Sequence, residues 1–376
     1  MTHKQQKEIE ERIKRGAIQF LYVAPERFEN TFFLNLLRKI KIPLIAFDEA
    51  HCISKWGHDF RPSYQSVIQK VFTLPQNFTI VALTATATAE VQQDIMSKLS
   101  IGQNDVVKTS TKRRNLIFKV NPTYQRQKFV VDYVANHEGQ AGIIYCSTRK
   151  QVEELHEALN SEKIKSTIYH AGLTNKERIE AQNDFLYDRV EVVIATNAFG
   201  MGIDKSNVRY VIHYNMPGDL ESYYQEAGRA GRDGLKSECI LLFSERDKGL
   251  HEYFITVSQA DDDYKDKMGE KLTKMIQYTK TKKCLEATIV HYFEPNENLE
   301  ECNQCSNCIQ ENKTYDMTRE AKMIISCIAR MKQQESYSVI IQVLRGEVTD
   351  YIKHHHYNEL TTHGLMKNYT TSELSH

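Results

Sequence analysis

The stretch Leu44-Ile45-Ala46-Phe47-Asp48-Glu49-Ala50-His51, continued by Cys52-Ile53-Ser54-Lys55-Trp56-Gly57-His58-Asp59-Phe60-Arg61-Pro62-Ser63-Tyr64, is the part of the chain from which the rest can be read. A short apolar run that ends in two carboxylates is the pattern of a buried strand in a parallel sheet. In such sheets ligands gather at the carboxyl ends of the strands, where Asp48 and Glu49 stand. One carboxylate there can hold Mg²⁺ and a second can orient an attacking water for phosphoryl transfer. An acidic pair equally suits a helix N-terminus, so the box taken alone leaves both readings open. The loop after it holds the only tryptophan of the chain, Trp56, with His58, Phe60 and Arg61, punctuated by Gly57 and Pro62. Stacking on single-stranded bases needs such rings and arginines, at about 1–3 kcal/mol per base. A loop pinned by a buried tryptophan is the plainer alternative, but His58 and Arg61 are poor choices for a mere pin.

Outward from this box, Phe20–Val23 and Thr79–Leu83 also read as strands, with helical spacing between them. The pattern returns at Gly142–Tyr145, Val192–Ala195 and Tyr210–His213, so two α/β units lie in tandem. Their strand ends carry Thr84-Ala85-Thr86, Cys146-Ser147-Thr148-Arg149 and Thr196-Asn197. Between the units, Lys112, Arg113, Arg114, Lys119, Arg126 and Lys128 form a stretch without carboxylates, read as a basic surface or a solvated linker. Lys265 to Lys283 reads as a lysine-rich helix. A helix from Thr318 and another from Tyr337 to Leu344, stopped by Gly346, begin a last unit.

Lys+Arg and Asp+Glu balance at 49 each, so bulk charge does not announce a nucleic-acid binder and any basic surface is local. No apolar run reaches the ~18 residues of a membrane span, and the first residues lack a signal peptide's apolar core, so a cytoplasmic protein is expected. Of the eight cysteines, Cys52, Cys146, Cys239 and Cys327 lie in apolar segments and read as core residues. Cys302, Cys305 and Cys308 follow C-x₂-C-x₂-C spacing, with Cys284 18 positions before the first. Four thiolates can close a structural Zn²⁺ site and leave no open position for catalysis.

Gln225-Glu226-Ala227-Gly228-Arg229-Ala230-Gly231-Arg232 places two arginines three apart among small residues. On a helix that spacing puts both guanidinium groups on one face. Such a face can neutralise charge on a transferring phosphoryl group, an effect worth about 10³–10⁵ in rate, or it can be a surface helix with two solvated arginines.

Together, Asp48 to Tyr64, Ala82 to Ala87, Ala195 to Val208 and Tyr223 to Gly234 resemble the motifs of RecQ-family DNA helicases. Tyr22-Val23-Ala24-Pro25-Glu26-Arg27 and Tyr169-His170-Ala171-Gly172-Leu173 match in order. RNA helicases share the acid box but not the aromatic loop or the cysteine layout. The resemblance implies two tandem RecA-like parallel-sheet domains in an α/β fold, the first incomplete, then a helical zinc-binding subdomain and the start of a winged helix. The expected spans are 1–110, 111–245, 246–315 and 316–376. It implies an ATP-dependent 3′–5′ DNA helicase acting in DNA repair, recombination, replication and the SOS response. The implied cofactors are ATP, Mg²⁺ and Zn²⁺. The implied partners are single-stranded DNA and duplex junctions, with a single-strand-binding protein as a further one.

Carried over residue by residue, Asp48 holds Mg²⁺ and Glu49 activates water. His51 and the loop to Arg61 couple nucleotide to DNA, and Thr84 and Thr86 extend that link. Gln225, Arg229 and Arg232 face ATP, with Arg232 as the finger. Arg27, Trp56, His58, Phe60, Arg61, Arg149 and His170 meet DNA. Lys55 departs from the glutamine common at its position. A phosphate-cradling loop needs a Gly-Lys pair, and none occurs in these residues. In the family that loop precedes the segment ending at Arg27. The expectation for these residues in isolation is therefore a zinc-stapled DNA-binding fragment with little or no ATPase.

Overall fold

β1 (Leu44–Phe47) and β2 (Thr79–Ala82) pair in parallel, Leu44 opposite Thr79 through Phe47 opposite Ala82. The same lobe carries α1 (His3–Lys14), α2 (Thr31–Leu37), α3 (Pro62–Val71) and α4 (Ala89–Leu99). Phe47, Ile53, Val67, Ile68, Val71, Val91, Ile95 and Leu99 form the core of this first lobe. Thr88 caps α4 by accepting the Val91 N–H, and Pro62 opens α3 with a residue that needs no amide donor. The structure is a computed structural model that describes residues 3–57, 60–200, 203–297, 300–309, 317–332, 334–369 and 371–374.

The second lobe is a six-stranded, all-parallel sheet of order β3-β8-β7-β4-β6-β5. Its strands are β3 (Leu116–Pro122), β4 (Ala141–Tyr145), β5 (Ser166–Tyr169), β6 (Val192–Ala195), β7 (Val208–His213) and β8 (Ser237–Phe243). Alternate side chains feed two cores. Ile143, Tyr145, Val193, Val211 and Leu241 face one side. Ile144, Ile194, Tyr210, Ile212 and Leu242 face the other, toward α5 (Arg126–Ala135) and α6 (Arg149–Ser161). Gly142 is required by close approach, since a Cβ there would stand 1.9 Å from the Tyr210 ring. α7 (Asn175–Leu186), closed by a capping box at Thr174 and Glu177, leads into β6. α8 (Leu220–Ala227) follows β7.

α9 (Glu245–Val257), α10 (Asp262–Lys280), α11 (Leu285–Phe293) and the short α12 (Ser306–Ile309) complete this unit, which spans Met1–Gln310. Leu272, Met275, Leu285, Ile289 and Phe293 join the same core as the sheet face that packs α8. The second unit, Glu311–His376, contains α13 (Thr318–Arg330), α14 (Tyr337–Arg345), α15 (Asp350–His354) and α16 (Thr371–Leu374). It has its own core of Cys327, Met331, Val343, Leu344, Ile352 and Met366. Gly346, at φ +79°, ends α14 in the left-handed conformation that glycine adopts without strain.

Several expectations are corrected. Phe20–Val23 forms no strand. It pairs with no strand among the described residues, and Phe20 and Tyr22 are exposed. The basic stretch is not a solvated linker, because it contains β3, and three of its charges are engaged while Arg114 and Lys128 stay exposed. Arg113 donates to the carbonyls of Ala230 and Gly231, Lys119 pairs with Glu238 at 2.5 Å, and Arg126 pairs with the buried Asp247. Strands β3, β5 and β8 lie where the sequence pattern predicts none. Cys52, Cys146, Cys239 and Cys327 are buried, as core residues should be.

Candidate nucleotide and nucleic-acid site

Asp48 and Glu49 leave β1 in a tight turn. Asp48 Oδ1 accepts the Glu49 N–H at 2.9 Å, and Tyr64 donates its hydroxyl to the Asp48 carbonyl at 3.1 Å. Burial raises the Tyr64 phenol, which keeps it a donor. Glu49 sits at φ +48°, a conformation that costs a residue with a side chain about 1–3 kcal/mol. Backbone bonds from Cys52 to the Glu49 carbonyl (2.9 Å) and from Ala50 to the Leu83 carbonyl (2.8 Å) hold it there. His51 is buried; its Nδ1 lies 3.3 Å from Glu49 Oε2 and 3.1 Å from Thr84 Oγ1. The Thr86 N–H approaches the same Thr84 oxygen at 3.4 Å, and the Thr86 side chain is buried. Glu49, His51, Thr84 and Thr86 thus form one connected group at the carboxyl ends of β1 and β2.

From the second lobe, Gln225 on α8 brings its Nε2 to 3.3 Å from Glu49 Oε2. Arg229 and Arg232 do not share a helix face, because α8 ends at Ala227 with Gly228 as its cap. Gly231, at φ +56°, then turns the chain, and a Cβ there would collide with Asn115 and Ser237. Arg229 is buried and donates to the Gly200 carbonyl, while Arg232 donates to the Ile203 carbonyl at 2.8 Å and lies 3.3 Å from Asp204. Both guanidinium groups are engaged within their own lobe, so Gln225 is the member of the trio that reaches Glu49.

Trp56 is half-buried against the first-lobe core, with Lys55 Nζ at 5.5 Å and Lys267 Nζ at 5.9 Å from its ring centroid. Phe60 and Arg61 are half-buried, and the Arg61 N–H bonds the Cys52 carbonyl at 3.1 Å. His58 lies outside the described residues. Arg27 is paired with Glu10 at 2.7 Å and lies over the Phe33 ring. In the second lobe, Arg149 opens α6 and is exposed, while His170 follows β5 and is buried, its Nδ1 accepting the Gly172 N–H at 3.2 Å. A Cβ on Gly172 would lie 3.1 Å from His170 and 3.2 Å from Arg149, so these two flank one glycine turn at the strand ends.

The sulfurs of Cys284, Cys302, Cys305 and Cys308 all lie within 4.8 Å of one another. Backbone amides of Ala287 and Cys302 donate to Cys284, that of Leu285 to Cys305 and that of Cys305 to Cys302, at 3.2–3.4 Å. Such donors stabilise thiolates, and amides on three of four clustered sulfurs fit a tetrahedral structural zinc. Burial pushes Cys302 up and Cys308 to about 11; at Cys305, amide donors and neighbouring thiols outweigh burial and draw the thiol down.

Two parallel-sheet lobes that set an acid box against a glutamine-bearing helix define a RecA-like helicase core. Known proteins place it more narrowly. The chain matches the DEAD/DEAH box helicase family over residues 1–95, the helicase conserved C-terminal domain over 125–234, the RecQ zinc-binding family over 245–309 and the RQC domain over 311–376. It is 43% identical to the ATP-dependent DNA helicase RecQ of Bacillus subtilis over 96% of this chain and 61% of that protein. It is 35% identical to the RecQ proteins of Pasteurella multocida and Haemophilus influenzae, over 97% of this chain and 57% and 59% of theirs. The chain belongs to the RecQ helicase family. It spans about three-fifths of the length of these relatives. Among the described residues no helix is long and apolar enough to cross a membrane.

Proposed function

We propose that these residues form the greater part of an ATP-driven motor that separates DNA strands, moving 3′ to 5′ along one of them, in a cytoplasmic protein serving repair and recombination. The contact of 3.3 Å between Gln225 and Glu49 carries this reading, because it joins the acid box of one lobe to the helix of the other. ATP with Mg²⁺ would supply the phosphoryl chemistry. Asp48 would hold the metal, Glu49 would take a proton from the attacking water, and Gln225 would keep Glu49 aimed. Arg232, freed from Asp204 and the Ile203 carbonyl as the lobes close, would meet the charge on the phosphates, with Arg229 shaping the loop beneath it. His51, Thr84 and Thr86 would pass lobe closure to the strand path of Trp56, Phe60 and Arg61. Arg27, Arg149 and His170 would hold the phosphodiester backbone. The four cysteines would bind Zn²⁺ to fold their segment rather than to catalyse. Single-stranded DNA and duplex junctions are the proposed substrates, and a single-strand-binding protein a proposed partner. Fluorescence anisotropy with labelled single-stranded DNA, forked duplex and matching RNA tests the reading. Binding to DNA in preference to RNA is expected, and equal binding to all three would overturn it. Since no Gly-Lys pair occurs here, these 376 residues alone are expected to bind DNA without DNA-stimulated ATP hydrolysis.

A further inference from the structure

Lys271 and Glu221 belong to none of the motifs above, yet both are buried, on α10 and α8. Lys271 Nζ stands 3.0 Å from Glu221 Oε1 and donates to the backbone carbonyl of Trp56 at 2.8 Å. Nearby, burial first and the Glu221 carboxylate second hold the Tyr292 phenol in its protonated form. A buried ion pair is poor evidence of stability, because desolvation offsets most of its attraction; its best-attested use is to select one arrangement. Here the arrangement joins three elements. Glu221 lies one helical turn before Gln225, which meets Glu49. Trp56 precedes Gly57, where a Cβ would lie 2.3 Å from the His51 carbonyl, so movement of this peptide is transmitted to the His51 turn. Lys55–Asp261 at 2.8 Å and Lys267–Glu90 at 2.9 Å tie the same loop and its lobe to the region of α10. The Trp56 ring is half-buried, with the Lys55 and Lys267 ammonium groups 5.5 and 5.9 Å from its centroid, so leaving this seat would free more of the ring to stack on a base.

We infer that Lys271, held in place by Glu221, is a positioning residue that latches the Trp56 peptide, so that the aromatic loop and the helix facing Glu49 are released together when a strand is bound. The release step rests on the proposed reading of the loop as a strand contact; the latch itself does not. Trp56 is the only tryptophan of the chain, so its fluorescence reports the latch directly. Lys271→Met removes the donor but strands a buried carboxylate, so Lys271→Met/Glu221→Leu, which removes the pair together, is measured beside it, with circular dichroism and zinc content confirming the fold. Without DNA, the expected result is a red shift of Trp56 emission and easier acrylamide quenching in the variants. With oligothymidylate, the wild type is expected to shift toward the variants, while the variants lose that response. Unchanged emission and quenching in the folded double variant would overturn the latch. A wild type that binds oligothymidylate without any Trp56 response would overturn the release step. A wild type that fails to bind DNA at all, with the DNA-free difference intact, would refute the strand-contact reading and leave the latch standing.

Discussion

Gln225 Nε2 stands 3.3 Å from Glu49 Oε2, although the two residues are 176 positions apart and rise from different sheets. The contact depends on a strained turn on one side, with Glu49 at φ +48°, and on a capped helix on the other, begun by Asp219 accepting the Ser222 N–H. A strained carboxylate held by neighbours on both lobes is suited to respond to their approach.

In any form of the protein that hydrolyses ATP, Glu49→Gln is expected to lower kcat by about 10²–10⁴-fold, the usual worth of a positioned general base. Affinity for single-stranded DNA should be retained. Gln225→Ala should lower kcat less, since it only aims the base. Steady-state kinetics with DNA in excess decide the matter, and a Glu49→Gln enzyme of undiminished kcat would remove Glu49 from the reaction.

Zinc removal should damage more than its own loop, because Cys284 and Cys305 are part of the core shared with the six-stranded sheet. Chelation or Cys305→Ser is expected to release metal and lower the thermal midpoint of the second lobe. Release should be easier as pH falls, since each sulfur that loses zinc takes up a proton. A metal-sensitive dye and circular dichroism follow both events. Full retention of the midpoint after complete metal loss would count against a structural zinc.

The Arg126–Asp247 pair is almost fully buried and is extended by Ser244 and Asn215, the latter also accepting the Ser147 N–H at 3.0 Å. Removing one partner alone, as in Arg126→Met, leaves an uncompensated charge and should cost about 3–5 kcal/mol in urea unfolding. A cost near zero would show the pair to be as weak as a surface one.

Glu286 on α11 is buried, and its Oε1 has no hydrogen-bond partner among the described residues. Burial raises its carboxyl above the usual 4.5, against the opposing pull of Lys112 and Arg114. A raised folded-state value means that stability present below the unfolded value is lost as pH rises through the folded one. Glu286→Gln mimics the protonated form, so it should raise the thermal midpoint at about pH 7 and match the wild type at pH values below about 4.5. A midpoint no higher than wild type near neutrality would contradict the burial argument.

How far the chain could be read in advance differs from element to element. Val192–Ala195 was legible because a buried parallel strand is a short apolar run with polar residues at its carboxyl end; Leu44–Phe47 is a parallel strand as expected but not a buried one, since of its four residues Phe47 alone is buried. Leu116–Pro122 was not legible, since Lys119 and Asn121 interrupt the run; Lys119 is half-buried there and meets Glu238 on the neighbouring strand. The four cysteines were legible as one site because their spacing already demands proximity.

Residue types and their order alone therefore determined the family, the parallel α/β class, the acid box and the four-cysteine cluster, since each is a local pattern with its own chemistry. Tertiary structure decided which groups meet across the lobes. It seats Lys271 between Glu221 and the Trp56 carbonyl, brings Gln225 rather than Arg229 or Arg232 to Glu49, and turns Arg113 and Arg126 from surface charges into internal ties. The physical reason is that a charged side chain takes its role from whichever partner and dielectric it finds after folding, and neither is encoded within reach of its own neighbours in the chain.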